Sequence, residues 1–269
     1  MLYKFRDWGN KDHKKLLTKN QIFFAQPSSF NDPFDCHIDD NFSILSESEI
    51  ENYIDEQIDF HDLENTSDVR QEFRHRISNY DFLNKRTNEN FKIQDKNFGV
   101  FTCNQDTENQ IGWQNILMWS HYANSHKGFC IAFDKEKTIK WLKIKNITGG
   151  PVNYGKYPEI KPVVPIAANK KKTNRSFVDI VSNKAANWDY EDEYRFVKIN
   201  IKNNSDIGLS TKDRIEELSA DCIVEVTLGL DISSKHEKKI AKECRQRGIP
   251  LYKAKKIPFQ FGISRVQIL

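Results

Sequence analysis

The sequence predicts an α+β fold in which most strands of the sheet are antiparallel. Short stretches that are apolar throughout, or that alternate apolar with polar residues, recur along the chain as β-strands do. Stretches with helical periodicity lie between some of these strands, but not regularly enough for a doubly wound parallel sheet. The 269 residues contain no repeat, no low-complexity segment and no long Gly/Ser linker. We therefore expect a single domain over residues 1–269.

The first hundred residues predict three strands and a helical insertion. Leu16 and Leu17 face inward on a short basic helix, and the turn-forming residues 27–33 end the second strand. Ser46 or Ser48 is a candidate N-cap for an acidic helix, which opens an insertion at about residues 44–95. The elements expected here are strands at Met1–Arg6, Gln21–Ala25 and Gly99–Cys103 and helices at Asn10–Asn20, Ser46–Asp59 and Asp68–Tyr80.

The rest of the chain predicts further strands with helices between them. Gly149, Gly150 and Pro151 together should break the chain, and Gly248 should end the last helix. An alternation of apolar and polar residues marks the clearest half-buried strand, at 194–201. The strands expected are Gly128–Phe133, Val152–Tyr154, Tyr194–Ile201, Cys222–Leu228, Leu251–Ala254 and Ile263–Ile268, and the helices are Lys135–Lys143, Asn174–Ala186 and Ser234–Gln246.

Charge and cysteine content narrow the classes of function. A net charge of +3 is too small to indicate nucleic-acid binding, so the lysine-rich runs at 170–172 and 253–256 are interpreted as solvated faces. No apolar run approaches the roughly 18 residues of a membrane helix, and no signal peptide is recognisable at the start. The five cysteines include no CxxC pair, and their number is odd. We expect a cytoplasmic protein with free thiols and no membrane partner.

Residues 115–134 combine side chains that a purely structural helix does not need. A surface helix has no use for adjacent Trp, His and Tyr, and a core helix has none for Ser and two His. The mixture leads directly into an apolar strand, so it predicts a pocket wall where a helix meets a sheet. The alternative is a core helix whose histidines form local hydrogen bonds. The residues concerned are Met118, Trp119, Ser120, His121, Tyr122, His126 and Lys127.

A second cluster, at residues 187–195, is rich in carboxylates. Glu191 and Glu193 lie two apart near the start of a predicted strand, and in extended backbone such side chains point the same way. Both carboxylates would then face one cleft. Like charges this close raise at least one pKa, which suits acid–base chemistry or stabilisation of a cation. The alternative is a charged strand end bridged to Arg195 or to a nearby lysine.

Other kinds of site are less well supported by the spacing. His121 and His126 are five apart and do not share a helical face, so we predict no metal. A nucleophilic pair of Cys130 with His121 is disfavoured because the cysteine lies in a predicted buried strand. The phosphate-binding glycine motifs are absent. A loop near residue 35 would hold either a hard cation or only water; its carboxylates are Asp32, Asp35, Asp39 and Asp40.

Five segments stand out when the chain is taken in order: LYKFR, IFFAQPSSFNDPFDC, GVFTC, NILMWSHYANSHKGFCIAFD and WDYEDEYRFV. In this order they resemble a bacterial family known as domain of unknown function 2971. The resemblance covers most of residues 3–201. Its specific part is MWSHYA followed by HKGFCI, together with a Trp and Glu-x-Glu-Tyr-Arg. The family name states no function.

The opening strand, the helix after it and the Glu-x-Glu sequence resemble, more remotely, the ADP-ribosyltransferase superfamily. That resemblance implies a split, mostly antiparallel sheet with flanking helices, an ADP-ribosyltransferase-like core that carries the helical insertion, and NAD as substrate. It makes Glu193 the catalytic candidate and Glu191 its partner. It implies ligand binding by Lys4 and Arg6 on the first strand, Phe101 on the second, and Trp119, Ser120, His121, Tyr122, His126 and Arg195 beyond it.

The reaction implied by the resemblance is cleavage of the bond between nicotinamide and ribose. Positive charge builds on the ribose, and Glu193 would stabilise it while Glu191 orients the acceptor. Lys4 and Arg6 would meet the pyrophosphate. Phe101, Trp119 or Tyr122 would stack on nicotinamide, with His121 and His126 hydrogen-bonded to ribose or phosphate oxygens.

Three functions are therefore weighed. The first is an NAD-consuming ADP-ribosyltransferase or NAD glycohydrolase, as in a toxin or phage-defence effector, whose acceptor is a protein, a nucleic acid or water. The second is an inactive module that binds a nucleotide or a partner. It is motivated by the first strand, Lys4-Phe5-Arg6, which lacks a His where the superfamily has His or Arg. The third is a metal-dependent hydrolase or nuclease that uses Asp32, Asp35, Glu191 and Glu193.

Overall fold

The structure, a computed structural model, describes residues 1–37, 42–155, 181–200 and 208–269. Asp39, Asp40 and the lysine run at 170–172 lie outside the described residues. Within that part the elements are β1 (Leu2–Arg6), α1 (Lys15–Thr18), β2 (Gln21–Phe23), α2 (Glu47–Phe60), α3 (Ser67–Ser78), α4 (Tyr80–Asn97), β3 (Phe98–Gln105), α5 (Ile116–Tyr122), β4 (Phe129–Phe133), α6 (Lys135–Ile144), β5 (Thr148–Pro151), β6 (Asn153–Gly155), β7 (Asn183–Ala185), β8 (Glu193–Ile199), β9 (Ile215–Glu217), β10 (Ile223–Leu228), α7 (Ser234–Arg247), β11 (Leu251–Lys256) and β12 (Ile263–Gln267).

Eight strands form the main sheet, in the order β12-β11-β10-β4-β1-β3-β8-β5. Neighbouring strands are antiparallel except β10 and β11, which are parallel and are joined by the crossover helix α7. Two small sheets stand beside it, one of β2 with β9 and one of β6 with β7. The mixed architecture with a mostly antiparallel sheet confirms the fold class expected from the sequence. No described helix has both the length and the apolar character needed to cross a membrane.

The sheet opens between β1 and β3. Strand β1 pairs with β4 along its whole length, from Leu2 opposite Phe133 to Arg6 opposite Phe129. With β3 it pairs only at Leu2 and Tyr3. Beyond these two positions the strands diverge, while β3 continues to pair with β8 on its other side. The divergence leaves a cleft whose edges are the unpaired halves of two neighbouring strands.

Side chains cover both faces of the sheet around this cleft. All five residues of β4 are buried, which explains their unbroken apolar run. Phe129, Ile131 and Phe133 belong to the larger core, shared with the rings of β3 and β8 and with α6 and α7. Cys130 and Ala132 point the other way and pack in a second core beneath α5. Helix α5 therefore packs on the sheet through this second core and borders the cleft.

The helical insertion holds three helices rather than the two expected. Helices α2 and α3 match their predictions, and Ser46 caps α2 with a reciprocal bond to Glu49. Helix α4 was missed because its sequence is almost wholly polar, and Thr87 is its one described buried residue. The helix predicted at residues 10–20 is also shorter, since only 15–18 are α-helical.

Two predictions near the cleft were wrong. The glycine-rich segment at 148–151 does not break the chain but forms β5 at the edge of the sheet, where proline is tolerated. Gly149 is needed there because a Cβ would lie 2.6 Å from a ring atom of Phe196. Residues 183–185, predicted as the end of a helix, form β7 parallel to β6, so pairing overrides the helical pattern. Residues 174–180 of that predicted helix, and Ile201, lie outside the described residues.

Gly128 sets the distance between α5 and the opening strand. A Cβ at this position would lie 2.2 Å from the carbonyl oxygen of Arg6. We predict that Gly128→Ala lowers the free energy of unfolding by about 2 kcal/mol or more, because the β1–β4 backbones must separate. Urea unfolding measures the change. Gly150→Ala is the matched control, since nothing lies within 4 Å of its Cβ; equal losses in the two variants would contradict this packing.

Candidate functional site

A cavity of about 370 Å³ lies in the cleft between β1 and β3. Its volume falls near the lower end of the range for small-molecule sites, roughly 300–1,000 Å³. Backbone and side chains of the two strands form one wall, α5 forms another, and the start of β8 closes the end. The polar side chains that line it are Lys4, Arg6, Ser29, Asn31, Asp35, Thr102, Asn104, His121, Tyr122, Lys184, Glu191 and Glu193.

One end of the cavity is built from a buried network of charges. Lys184 Nζ lies 2.5 Å from Glu191 Oε2, 3.3 Å from Glu193 Oε2 and 3.6 Å from an oxygen of Asp35. Arg195 donates to Glu193 Oε2 and to both oxygens of Asp35, each at 2.7 Å. All five side chains are buried. Two cations thus hold three carboxylates in fixed positions, as a buried ionic group requires.

The carboxylates raise the pKa values of these two cations by more than burial lowers them. Burial disfavours the charge of Lys184, but Glu193, Glu191 and Asp35 raise its pKa above the usual value. Burial also disfavours the charge of Arg195, but Glu193 and the neighbouring Asp35 raise its pKa well above the usual value. Both side chains therefore remain protonated across the physiological range, and they stabilise the negative charge of their partners.

A tight turn brings Glu191 and Glu193 together. We expected both to project from one extended segment, but residues 186–191 form a 3₁₀ helix and Asp192 adopts a left-handed conformation with φ of 43°. Aspartate tolerates this conformation better than most residues. The Asn104 amide donates to the Glu191 carbonyl and Gln105 N donates to the Asp192 carbonyl at 2.9 Å. The turn is thereby fastened to the end of β3.

The other end of the cavity is cationic. Lys4 and Arg6 are two apart on β1 and line the same cavity. Lys4 Nζ donates to the carbonyl and hydroxyl oxygens of Thr102, the latter at 2.7 Å, and lies 5.2 Å from the centre of the Phe101 ring. Its amine thus spans the gap where β1 and β3 no longer pair. Among the described residues, Arg6 has no carboxylate partner within ion-pair distance.

Burial shifts the pKa values of both cations downward. For Lys4, burial and then the charge of Arg6 lower the pKa to about 7. Burial likewise lowers the pKa of Arg6 to about 10. Among the described residues Arg6 lacks a carboxylate partner. An anionic ligand is favoured here, because it would restore the interactions that Arg6 and Lys4 lose with water.

Tyr122 and His121 on α5 form the wall between the two ends. The Tyr122 hydroxyl donates to Glu191 Oε1 at 2.7 Å. Burial, followed by the charge of Glu191, raises the Tyr122 pKa above its ordinary range, so the hydroxyl keeps its proton. The Asn115 side chain accepts from two backbone N–H groups at the start of α5 and donates to the Tyr190 carbonyl. Asn115 therefore fixes α5 relative to the turn that carries Glu191 and Glu193.

Of the eleven residues to which the superfamily resemblance gives a role, the structure brings seven to this cavity. They are Lys4, Arg6, Phe101, His121, Tyr122, Glu191 and Glu193. On α5 the cavity-lining positions are 118, 121 and 122, which share one helical face through i, i+3 and i+4 spacing.

Four others of that set do not line the cavity. Trp119 is fully buried beneath α5, where its ring meets Phe5 edge-on and its Nε1 donates to the Trp113 carbonyl. Ser120 is exposed and donates to the Ile116 carbonyl, and His126 stacks on Trp119. Arg195 lies behind Glu193, bound to Asp35.

Sequence reasoning missed Thr102 and Asn104 and placed Asp35 only in a loop of uncertain role. It anticipated the bridge from the carboxylates to Arg195 or a nearby lysine but did not identify that lysine as Lys184. Lys184 has no local ion-pair signal, because its carboxylate partners are seven or more residues away or on other elements. Asp35 lies in a quoted segment of the family resemblance, but its partner Arg195 is 160 residues further on. Such contacts depend on the fold and not on spacing.

A metal is not indicated within the described residues, where no group of three or more His, Cys, Asp or Glu side chains is arranged to hold one. The cations Lys184 and Arg195 already occupy the space between Asp35, Glu191 and Glu193. This arrangement disfavours the metal-dependent hydrolase or nuclease.

Comparison with known proteins gives one family match over part of the chain and no activity. Residues 118–196 match the family described as "Protein of unknown function (DUF2971)". The match confirms the family resemblance found in the sequence, and it spans α5 to β8, with Tyr122, Lys184, Glu191 and Glu193. No curated protein and no solved structure matches the chain.

The pKa of Lys4 predicts how stability varies with pH. Folding lowers this pKa to about 7 from an ordinary value of about 10.5. Between these values the unfolded chain binds more protons, so this group makes the free energy of unfolding rise with pH, by about 1.5 kcal/mol from about pH 7 to about pH 8.5. Lys4→Met should remove that rise in urea titrations. The exposed lysine control, Lys19→Met, should retain it; the wild-type slope in the Lys4 variant would contradict the prediction.

Proposed function

We propose that the protein is an NAD-consuming enzyme of the ADP-ribosyltransferase type, cleaving the bond between nicotinamide and ribose. The observation that supports this most is that Glu193 and Arg6 line one cavity at the opening of the sheet. A split, mostly antiparallel sheet is what the remote superfamily resemblance implies. The acceptor of the ADP-ribosyl group is a protein, a nucleic acid or water.

The charges of the cavity suit a dinucleotide whose pyrophosphate lies at the β1 end. Arg6 offers a planar set of donors to phosphate oxygens, and Lys4 offers a compact charge beside it. Binding would raise the pKa of Lys4 back towards its ordinary value, because an anion favours the charged form. Phe101 and Tyr122 provide ring surfaces between this end and the carboxylates.

Glu193 is placed to act on the ribose. Both cationic donors bind its Oε2, from Arg195 at 2.7 Å and from Lys184 at 3.3 Å. Oε1 accepts no hydrogen bond from the described residues, so it is available to a hydroxyl of the sugar. When the bond between C1′ and nicotinamide breaks, the electron pair leaves with nicotinamide and the ribose becomes cationic. The nearby carboxylate stabilises that charge.

Glu191 and Tyr122 are placed to handle the acceptor. The acceptor's oxygen or nitrogen forms the new bond to C1′ and must lose a proton. Glu191 accepts from Tyr122 through Oε1 and from Lys184 through Oε2. This hydrogen-bonded chain can orient the acceptor, which is the role the resemblance gives to Glu191, and the Glu191 carboxylate can take up the proton.

A second candidate function is a binding module that retains the cavity without turnover. The observation in its favour is that Lys184 and Arg195 both bind Glu193. Cations this close offset part of the field that the carboxylate exerts on a developing ribose cation. The same charges would still recognise a nucleotide, since Arg6 and Lys4 do not depend on the carboxylate end.

Removing the charge of Glu193 tests the enzymatic proposal. We predict that Glu193→Gln lowers the rate of nicotinamide release from NAD by about 10²–10³, because transition-state charge is no longer stabilised. Chromatography of the released nicotinamide measures the rate. Glu217→Gln, at an exposed carboxylate, should leave the rate unchanged. Unfolding midpoints establish that both variants fold. No release by the wild-type protein, with or without an acceptor, would refute the proposal.

Ligand binding distinguishes the two candidates. Arg6→Gln should weaken binding of ADP-ribose by about tenfold or more in calorimetry, because a charged hydrogen bond to phosphate is lost. Both candidate functions, the enzyme and the binding module, predict this weaker binding of ADP-ribose. Binding of ADP-ribose without any turnover of NAD would favour the binding module. Equal affinities for the Arg6 variant and the wild-type protein would contradict a pyrophosphate site at β1.

A further inference from the structure

The hairpin between β11 and β12 carries two exposed phenylalanines at its tip. Residues 257–262, here called the aromatic loop, connect the last pair of the hairpin, Lys256 opposite Ile263. The rings of Phe259 and Phe261 are fully exposed, at 106% and 102%. A single exposed apolar side chain is ordinary, but two full rings at one tip mark an interaction site.

The backbone of the aromatic loop holds one of these rings outward at a cost. Phe259 has a φ of 61°, in the left-handed region that bulky residues rarely adopt. The loop is closed by Ile257 N donating to the Gly262 carbonyl at 3.1 Å and Gln260 N donating to the Ile257 carbonyl at 3.4 Å. Backbone strain of this kind concentrates at functional sites.

Positive charge is concentrated behind the loop. Residues 234–256, which form α7 and β11, contain nine Lys and Arg against two Glu, a net charge of +7 in a chain whose total is +3. Lys253 pairs with Glu237 at 2.7 Å, which sets the first turns of α7 beside β11. The exposed lysines of this region are Lys235, Lys238, Lys239, Lys242, Lys255 and Lys256.

The arrangement is layered. Residues 257–264 carry no charge, whereas Lys255 and Lys256 lie at the base of the aromatic loop. A bilayer surface has the same order, with apolar chains below and phosphates above, and long lysine side chains can reach the phosphates while rings enter the interface. A protein partner would need a pocket around each ring, and a nucleic acid would be met better by cations beside the rings.

We infer that the aromatic loop and the basic surface of α7 and β11 bind an anionic phospholipid surface. Phe259 and Phe261 enter the interfacial layer, and Lys255 and Lys256 contact the headgroups. The apolar rings and the lysines are each weak membrane anchors, and together they give reversible attachment. The sequence indicated no membrane partner because it has no spanning segment, and a peripheral loop needs none. This inference is independent of the reaction proposed for the cavity.

Vesicle sedimentation of the full chain tests the inference. The wild-type protein should bind vesicles of phosphatidylcholine mixed with phosphatidylserine and bind phosphatidylcholine vesicles far less. Phe259→Ser with Phe261→Ser should weaken binding by about a hundredfold, since each buried ring contributes about tenfold or more. Lys255→Gln with Lys256→Gln should weaken it by about fivefold for each lysine and reduce its dependence on salt.

Phe60→Ser is the matched control, because Phe60 is an exposed ring at the end of α2. It should bind vesicles as the wild-type protein does, and the unfolding midpoints of all variants should agree. Absence of binding to anionic vesicles, or binding that ignores the Phe259 and Phe261 changes, would overturn the inference. So would phenylalanine-dependent binding of a single-stranded oligonucleotide or of polyglutamate, or phenylalanine-dependent dimerisation, without vesicle binding.

Discussion

The candidate site depends on one buried ionic network, in which Lys184 and Arg195 hold Asp35, Glu191 and Glu193. Removing such charges from water costs several kcal/mol for each ion, so none of them would be stable alone. Their mutual contacts compensate, and the contacts come from segments far apart in the chain. The segment around residue 35, strand β7, the 3₁₀ turn and β8 are fixed relative to one another by this requirement. The position of Glu193 is a consequence of these contacts.

The opening of the sheet complements this network. Because β1 and β3 stop pairing after Tyr3, the backbone groups of β3 facing the gap need other partners. The Lys4 amine supplies one by donating to the Thr102 carbonyl, which places a cation in the gap. The gap is thereby kept wide enough for a ligand and acquires positive charge at the end away from the carboxylates. A cavity that is negative at one end and positive at the other suits a ligand with a phosphate group and a developing cation.

Much of the fold was predictable where local pattern is strong. The apolar run of β4, the alternation in β8 and the capped helices α2 and α7 followed their sequence signals. The predictions were wrong at α4 and β5. Helix α4 has an almost wholly polar sequence without a clear helical pattern, and the Gly and Pro of β5 are compatible with an edge strand. In the site, helical spacing explains why Tyr122 and His121 line the cavity while Trp119 does not. The partners Lys184 and Asp35 were not predictable, because no spacing links them to the carboxylate turn.

The most direct test is a crystal structure of the protein with ADP-ribose bound, because the central claim is geometric. Glu193 and Arg6 must contact opposite ends of one ligand. The expected result places the pyrophosphate at Arg6 and Lys4 and a ribose hydroxyl within hydrogen-bond distance of Glu193. A ligand bound elsewhere, or one that reaches Arg6 but directs its ribose away from the carboxylates, would contradict the account.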